Sequence, residues 1–310
     1  MVFGDIFEFL SACVMLLLLN QLTSLFISTQ ALPALFFIFV VELQDAERPE
    51  LMLDIIEKNT DSLKSFLHDF WNRAEIKMRE EDSTQQASYS LTIVNNKDWY
   101  DGQNVLDFMS KVGRHMSVRG MLERESVQKR LSDRDEGISF LEFSYMAFQA
   151  YDFSHLYDHY DCRLQLGGSD QWGNVVMGCQ YIRRSRAYEK LQRGSTVRSL
   201  KSEAGSSTLP EAPEEAAGGL TTPLLTTADG KKIGKSAGNA VWLSPSKSSD
   251  FELYQWLLRV QDADVRKFFC LFTLLDMTTI DRVVEDHQKN VCEFLYIDYI
   301  VYLLRDCVCV

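Results

Sequence analysis

Hydrophobic and polar positions alternate with two different periods along the middle of the chain. In residues 51–77 apolar residues recur at helical spacing between charges, and residues 88–96 (SYSLTIVNN) read as a strand entering a turn. Residues 99–131 predict two or three short helices. The breaks between these helices are expected at three glycines: Gly102, Gly113 and Gly120.

The same alternation continues towards the C-terminus. Ser139 and Glu142 have the spacing of a capping box, so a helix is expected to begin there and to continue past Ala150. Strand and helix patterns then follow in turn: a strand at 162–166, a helix at 174–191, a strand at 220–227 and helices over 249–290. This order predicts an α/β fold with a largely parallel sheet.

Three segments depart from that pattern. Residues 192–219 are rich in Ser, Pro, Gly and Glu and predict a mobile insertion. The apolar runs at 9–19 and 31–41 are each too short to span a bilayer, Pro33 interrupts the second, and no basic residues open the first. We therefore expect apolar ends that are helical and make no membrane contact. The predicted division is 1–44, 45–248, 249–290 and an apolar tail at 291–310.

Composition narrows the class of protein. The chain has 310 residues, 46% of them hydrophobic, which is enough for a real core. Its net charge of -12 excludes a basic footprint for nucleic acid over the chain as a whole. Seven scattered cysteines without a CxxC pair argue against a disulfide framework or a zinc site, so we expect no metal and a reducing compartment.

Three polar residues of the helix predicted after Ser139 lie on one face. Tyr145, Gln149 and Asp152 are spaced i, i+4 and i+7. By spacing alone a solvated helix face is the better interpretation. The neighbouring residues are too apolar for an exposed helix, however, and a polar stripe on a buried helix needs partners. The stripe therefore predicts a binding site.

The stretch LQLGGSDQWGN, residues 164–174, joins a predicted strand to the next helix. Gly167 and Gly168 permit close approach of the backbone to a ligand. Asp170, with Gln171 beside it, is suited either to cap the helix or to bind ribose hydroxyls. The alternative is an ordinary strand–turn–helix junction, and the G-x-G-x-x-G spacing is absent.

A glycine-containing basic loop follows the strand predicted at 220–227. The sequence DGKKIGKS supplies Lys231, Lys232 and Lys235, which are spaced to follow a polyphosphate. The spacing of a Walker A loop is absent, and a solvated basic turn is the alternative.

In this order, these segments resemble the tyrosyl-tRNA synthetases, which are class I enzymes. EFSYMAFQAYDF (142–153) is similar to that family's tyrosine-pocket helix, LQLGGSDQWGN to its signature strand–loop–helix, and ADGKKIGKSAGNAVWL (228–243) to its KMSKS loop. Residues 251–275 resemble the helical region that follows. The resemblance spans roughly 45–290 and implies a partial Rossmann-like catalytic domain followed by a helical region.

The resemblance also implies roles for individual residues. Tyr145, Gln149 and Asp152 would hold the amino group and orientation of tyrosine. Further residues would lie beside the substrate or support its pocket: Gln165, Gln171 and Asn96. Asp170 would bind ribose, Gly168 would lie under the adenylate and Leu225 would meet adenine through its backbone. The mobile catalytic loop that stabilises the pyrophosphate would consist of Lys232, Lys235 and Ser236.

The activity implied is that of a tyrosine–tRNA ligase. L-tyrosine would be activated with ATP, whose counter-ion is Mg²⁺, and then transferred to tRNA(Tyr). A homodimer through residues of about 100–140 is expected. The wording SAGNAVWL is closer to bacterial and mitochondrial members, so we expect the mitochondrial matrix, with the cytoplasm as the alternative.

Both ends depart from the family pattern. No histidine of the chain occurs in the family's H-x-G-H motif, and the upstream tyrosine and aspartate that clamp the substrate phenol are not found. The apolar ends match nothing in the family, which suggests a truncated or mis-spliced gene model. The alternatives are a non-catalytic tyrosine- or nucleotide-binding pseudoenzyme and, from the ends alone, a small membrane protein.

Overall fold

The computed structural model describes most of the middle of the chain. The described residues are 24–28, 34–38, 53–81, 90–132, 137–193, 217–222, 248–272 and 276–290. They belong to two compact units. The sheet unit contains the described parts of 23–49 and 88–221, and the helical unit those of 50–87 and 222–310.

A five-stranded sheet forms the centre of the sheet unit. Its strands are β1 (Ser24–Ser28), β2 (Ala34–Ile38), β3 (Ser90–Ile93), β4 (Cys162–Gly168) and β5 (Gly218–Thr222), in the spatial order β3-β2-β1-β4-β5. β2 and β3 pair in parallel, whereas β1 is antiparallel to both β2 and β4. Consequently β2, β3 and β4 run in one direction and β1 runs against them.

The strands β1 and β2 correct the sequence-based prediction for the N-terminal segment. We expected the apolar ends to be helical, but residues 24–28 and 34–38 are strands. Both are five-residue runs rich in aromatic and β-branched residues, and periodicity alone does not separate such short runs from helix. The α/β class is confirmed, while β1 makes the sheet mixed rather than uniformly parallel.

Six helices of the described chain accompany the sheet. They are α2 (Lys97–Tyr100), α3 (Val105–Lys111), α4 (Val118–Leu122), α5 (Glu125–Ser132), α6 (Phe140–His159) and α7 (Trp172–Arg193), numbered after α1 (Leu53–Glu81) of the helical unit. The break at Gly102 is confirmed, and its φ of 78° is one that glycine adopts readily. The break predicted at Gly120 is wrong, because Gly120 lies inside α4 and donates its N–H to the capping hydroxyl of Ser117 at 3.3 Å.

Helix α6 begins as its sequence predicted. The hydroxyl of Ser139 accepts from the N–H of Glu142 at 3.2 Å, and the Glu142 carboxylate accepts from the N–H of Ser139 at 3.4 Å. Buried residues of α6, including Phe153 and Leu156, pack with Cys162 of β4 and Ile182 of α7. Burying a large apolar side chain of this kind stabilises the fold by roughly 1.5–3 kcal/mol. The core thus fixes α6 against β4 and α7.

The described part of the helical unit contains α1 and three later helices. These are α8 (Asp250–Leu258), α9 (Asp262–Phe272) and α10 (Met277–Asn290), as the pattern over 249–290 predicted. Asp276 caps α10 by accepting from the N–H of Thr279 at 2.9 Å, and Arg266 of α9 donates to Asp281 of α10 at 2.8 Å. Among the helices described, none is both long enough and apolar enough to cross a membrane.

Some predictions fall on residues outside those that the structure describes. Residues 194–216 of the insertion predicted at 192–219 are outside the described residues. The apolar runs at 9–19 and 291–310 are outside them as well. The proposed division at 44, 248 and 290 stays a prediction.

Two neighbouring glycines of β5 provide a test of the packing beneath α7. A Cβ at Gly219 would overlap Cγ1 of the buried Val175, whereas one at Gly218 would lie at an ordinary 3.4 Å from Leu164. We expect Gly219→Ala to lower the free energy of unfolding by about 1–3 kcal/mol, as overpacked cores do. Gly218→Ala is the matched control and should change it little. Urea denaturation of both variants checks this, and an equal loss in both would contradict it.

Candidate functional site

A buried carboxylate forms the first part of the site. Asp152 of α6 is only 1% exposed. Its Oδ1 accepts from Nε1 of Trp99 at 2.8 Å, and its Oδ2 accepts from Nδ2 of Asn96 at 3.3 Å. Asn96 directly precedes α2 and Trp99 lies within it. The sequence-predicted residues Asn96 and Asp152 are therefore in direct contact.

The environment of Asp152 changes its acidity. Burial raises the pKa of Asp152 to about 6, although hydrogen bonds from Trp99, Tyr100 and Asn96 lower it. Burial, followed by the nearby Asp152 carboxylate, raises the pKa of Tyr100 above its ordinary value. The single hydrogen of the Tyr100 hydroxyl is within reach of two acceptors, the Asp152 carboxylate and the carbonyl oxygen of Phe148 at 3.0 Å. Asp152 is thus ionised at neutral pH but titrates close to it.

Three side-chain amides form the second part, which we call the amide group. Nδ2 of Asn174 donates to Oε1 of Gln149 at 2.9 Å and to Oε1 of Gln171 at 3.1 Å. Gln149 is fully buried and Gln171 nearly so. Because Asn174 occupies both carbonyl oxygens, it fixes the orientation of both glutamines, directing their N–H groups elsewhere.

The other predicted residues of β4 and α6 surround these groups. Gln165 of β4 is fully buried, and a Cβ at Gly178 of α7 would lie 3.5 Å from its Oε1 and 3.0 Å from Phe153. Gly178 thus allows α7 to pass close to Gln165. Tyr145 is half-buried and packs against the core cluster that contains Phe153.

The strand–turn–helix motif takes the form expected from its sequence. Gly168 ends β4, and Asp170 lies exposed in a 3₁₀ turn, Ser169–Gln171, before α7. Four predicted ATP-side residues lie outside the described residues: Leu225 of the strand predicted at 220–227, and Lys232, Lys235 and Ser236 of the basic loop. Within the described part of the chain, no group of three or more His, Cys, Asp or Glu side chains is arranged to hold a metal ion.

Three residues of the site were not identified from the sequence. Trp99 and Tyr100 hold Asp152, and Asn174 holds the two glutamines. Asn174 carried a local signal, because it lies one helical turn after Gln171. Trp99 lies three residues after Asn96, but nothing in the sequence connects it with Asp152, which lies 53 residues later.

The arrangement is suited to a ligand with polar groups at both ends. Tyr145 and Asp152 are seven residues apart on one face of α6, about 10 Å along the axis because a helix rises about 1.5 Å per residue. The face offers an ionised acceptor at one end and oriented amides near its middle. Apolar residues of α6 flank them. Such a surface matches an amphipathic molecule about as long as an aromatic amino acid.

Comparisons with known proteins identify the family of the chain. Residues 47–306 match the family model described as tRNA synthetases class I (W and Y). The tyrosine–tRNA ligase of Paracoccus denitrificans is 42% identical over 261 residues, which cover 84% of this chain and 53% of the relative. The mitochondrial tyrosine–tRNA ligase of Drosophila melanogaster is 38% identical over 244 residues, 79% of this chain and 47% of the relative.

The chain is also similar to solved structures of mitochondrial tyrosyl-tRNA synthetases. A C-terminally truncated mitochondrial tyrosyl-tRNA synthetase from Aspergillus nidulans matches with a TM-score of 0.65 at 26% identity, over 84% of this chain and 66% of that one. The corresponding Coccidioides posadasii protein has a TM-score of 0.58 at 28% identity, over 78% and 62%. The chain spans about half the length of the curated relatives it matches. Since the family model covers most of its residues, the chain belongs to the class I tRNA synthetases of the W and Y family.

Proposed function

We propose that this protein is a tyrosine–tRNA ligase, which activates L-tyrosine with ATP and transfers it to tRNA(Tyr). The observation that carries the proposal is the buried polar face of α6, with Gln149 and Asp152 fully enclosed and held by partners from α2 and α7. The relatives that match most of the chain bear the name tyrosine–tRNA ligase, which supports tyrosine as the ligand.

Within this proposal, Asp152 accepts a hydrogen bond from the phenolic hydroxyl of tyrosine. Its described partners Trp99 and Asn96 are neutral donors, and a cation brought so deep into the fold would lose its hydration at high cost. Tyr145 and Gln149 then face the amino end. This assignment differs from the sequence-based expectation that all three residues hold the amino group and orientation of tyrosine.

The ATP side is assigned by the family resemblance. The exposed Asp170 binds the ribose hydroxyls, and Gly168 lets the backbone approach the adenylate. Leu225 meets adenine. A carboxylate oxygen of tyrosine attacks the α-phosphorus of ATP, and pyrophosphate leaves with Mg²⁺. Lys232, Lys235 and Ser236 stabilise the charge on that leaving group, so positioning and charge stabilisation supply most of the catalysis.

We also propose that the protein works as a homodimer and in mitochondria. Residues of α3, α4 and the start of α6 expose large apolar side chains, and the most exposed of them are Val105 (73%), Leu106 (77%), Phe140 (75%) and Leu141 (68%). Large exposed apolar surfaces mark protein interfaces, and these side chains lie within or next to residues 100–140. The mitochondrial compartment is supported by the mitochondrial relatives from Drosophila and Aspergillus.

Tyrosine-dependent exchange of pyrophosphate into ATP tests the proposed function. We expect the purified full chain to catalyse this exchange only when tyrosine is present. Gln149→Ala should slow it by roughly tenfold or more, because unpaired buried amides cost about 1–3 kcal/mol. Gln128→Ala, at an exposed glutamine of α5, is the matched control. Tyrosine binding without any exchange would instead favour a non-catalytic binding protein.

Substitution of Asp152 tests how the substrate hydroxyl is recognised. We expect Asp152→Asn to weaken tyrosine binding by about tenfold or more while phenylalanine binding changes little, because only tyrosine donates to the carboxylate. Tyrosyl-tRNA synthetases are the standard example of rejecting an analogue that lacks this hydroxyl. Calorimetric titration with both amino acids measures the ratio, and an unchanged ratio would contradict the assignment.

The pH dependence of the same binding follows from the acidity of Asp152. The ionised carboxylate is the better acceptor, so tyrosine binding should weaken as the pH falls through the pKa of Asp152, about 6. The contribution of Asp152 to folding stability has the opposite sign, because a raised carboxyl pKa makes the ionised form the costly one. Loss of binding at low pH is therefore distinguishable from unfolding, and Asp152→Asn should remove both dependences.

A substitution on the exposed apolar surface tests the dimer. We expect the full chain to be a dimer by light scattering and Leu106→Asp to be a monomer, because a buried unpaired charge opposes association. Phe251→Asp is the matched control, since Phe251 is 68% exposed on α8 and outside residues 100–140. A monomeric wild type, or equal dissociation of both variants, would contradict the proposed dimer.

A further inference from the structure

Two histidines form a stacked pair at the end of α6. His155 and His159 are four residues apart, and their ring centroids lie 4.1 Å from each other with an interplanar angle of 17°. The His155 ring also stacks on Trp99, at 4.5 Å and 15°. His159 is exposed and His155 half-buried, so the pair runs from the interior of the sheet unit to its surface. The site described above does not use either histidine.

The backbone fixes which nitrogen of His159 carries a lone pair. Nδ1 of His159 lies 2.9 Å from the carbonyl oxygen of His155, and a carbonyl oxygen only accepts. Nδ1 must therefore carry the proton, and Nε2 is the basic nitrogen. An N–H donated to a backbone carbonyl is the same arrangement that orients histidines in metal sites.

We propose that His155 and His159 bind a transition-metal ion of the imidazole-preferring class, such as Zn²⁺, Cu²⁺ or Ni²⁺. Two histidines four residues apart on one helical face have the ligand spacing of the H-E-x-x-H zinc helix. Imidazole nitrogens suit these three ions. The lone pairs of two stacked rings point in parallel directions, so the exposed His159 ring must rotate out of its stack on His155 before a nitrogen of each ring can reach one ion at the usual zinc–nitrogen distance of about 2.0–2.1 Å.

The two carboxylates nearest to His159 in the sequence are paired with arginines, so we expect water to complete the coordination of the metal ion. Asp158, the carboxylate beside His159 in the sequence, is paired with Arg186. Asp161, two residues after His159, is paired with Arg163. Among described residues no third His, Cys, Asp or Glu joins the two histidines, so the site is a two-histidine site with exchangeable waters.

Quenching of Trp99 fluorescence by Cu²⁺ tests the site in the full chain. A Cu²⁺ ion bound to His155 and His159 would lie close to Trp99, because the His155 ring stacks on the indole. It should therefore quench the fluorescence of Trp99, and the quenching should saturate as the site fills. We expect His159→Ala to weaken this quenching by at least about tenfold, because even outer-shell changes weaken metal sites by 10–100-fold. Trp99→Phe should remove the quenched component while Zn²⁺ binding, measured by calorimetry, persists.

Two further variants separate metal binding from ring stacking. His155→Phe keeps an aromatic ring against Trp99 but removes the nitrogen ligand, so it should weaken Cu²⁺ and Zn²⁺ binding as His159→Ala does. His115→Phe is the matched control, because His115 is half-buried and contacts the rings of Tyr181 and Tyr188 elsewhere in the sheet unit. It should bind both metals like the wild type. Equal affinity in the wild type, His159→Ala and His155→Phe would overturn the proposal.

Discussion

The burial of one ionised carboxylate, that of Asp152, sets the geometry of the candidate site. A charge removed from water must be stabilised by hydrogen bonds, and Asp152 obtains them from Trp99 and Asn96. These donors lie in α2 and just before it. Their hydrogen bonds to the buried carboxylate therefore hold the short helix against α6. Trp99 in turn stacks on His155 one turn further along α6, which restricts the indole in a second direction.

The amide group depends on packing in a similar way. Asn174 orients Gln149 of α6 and Gln171 of the preceding turn, and Asn174 is in place because α7 begins close to the sheet. The adjacent Val175 lies directly over Gly219 of β5, where any larger residue would overlap it. The orientation of the two glutamines thus depends on a glycine in a neighbouring strand, β5.

The sequence predicted the parts of this arrangement whose information is local. The capping box and the i, i+4, i+7 spacing on α6 depend on residues within one or two helical turns, and both were recognised. Trp99 was not, because its bond to Asp152 joins segments 53 residues apart. The strands of residues 24–28 and 34–38 were missed for the same reason. Short apolar runs take strand geometry only when another strand is beside them, and that pairing is invisible to periodicity.

Two buried acids on the same helix indicate which polar groups serve the fold and which serve a ligand. Glu142 lies 3.1 Å from Arg130 and also closes the capping box of α6, so its charge is neutralised inside the protein and its role is structural. Among the described residues, the hydrogen-bond partners of Asp152 are neutral donors, and its pKa remains raised, so its ionised form costs folding free energy. Buried groups whose pKa is shifted at a cost in folding free energy are found most often at functional sites, where a ligand interacts with their charge. The difference between these two carboxylates, rather than the burial they share, is the reason that we propose Asp152, and not Glu142, for substrate recognition.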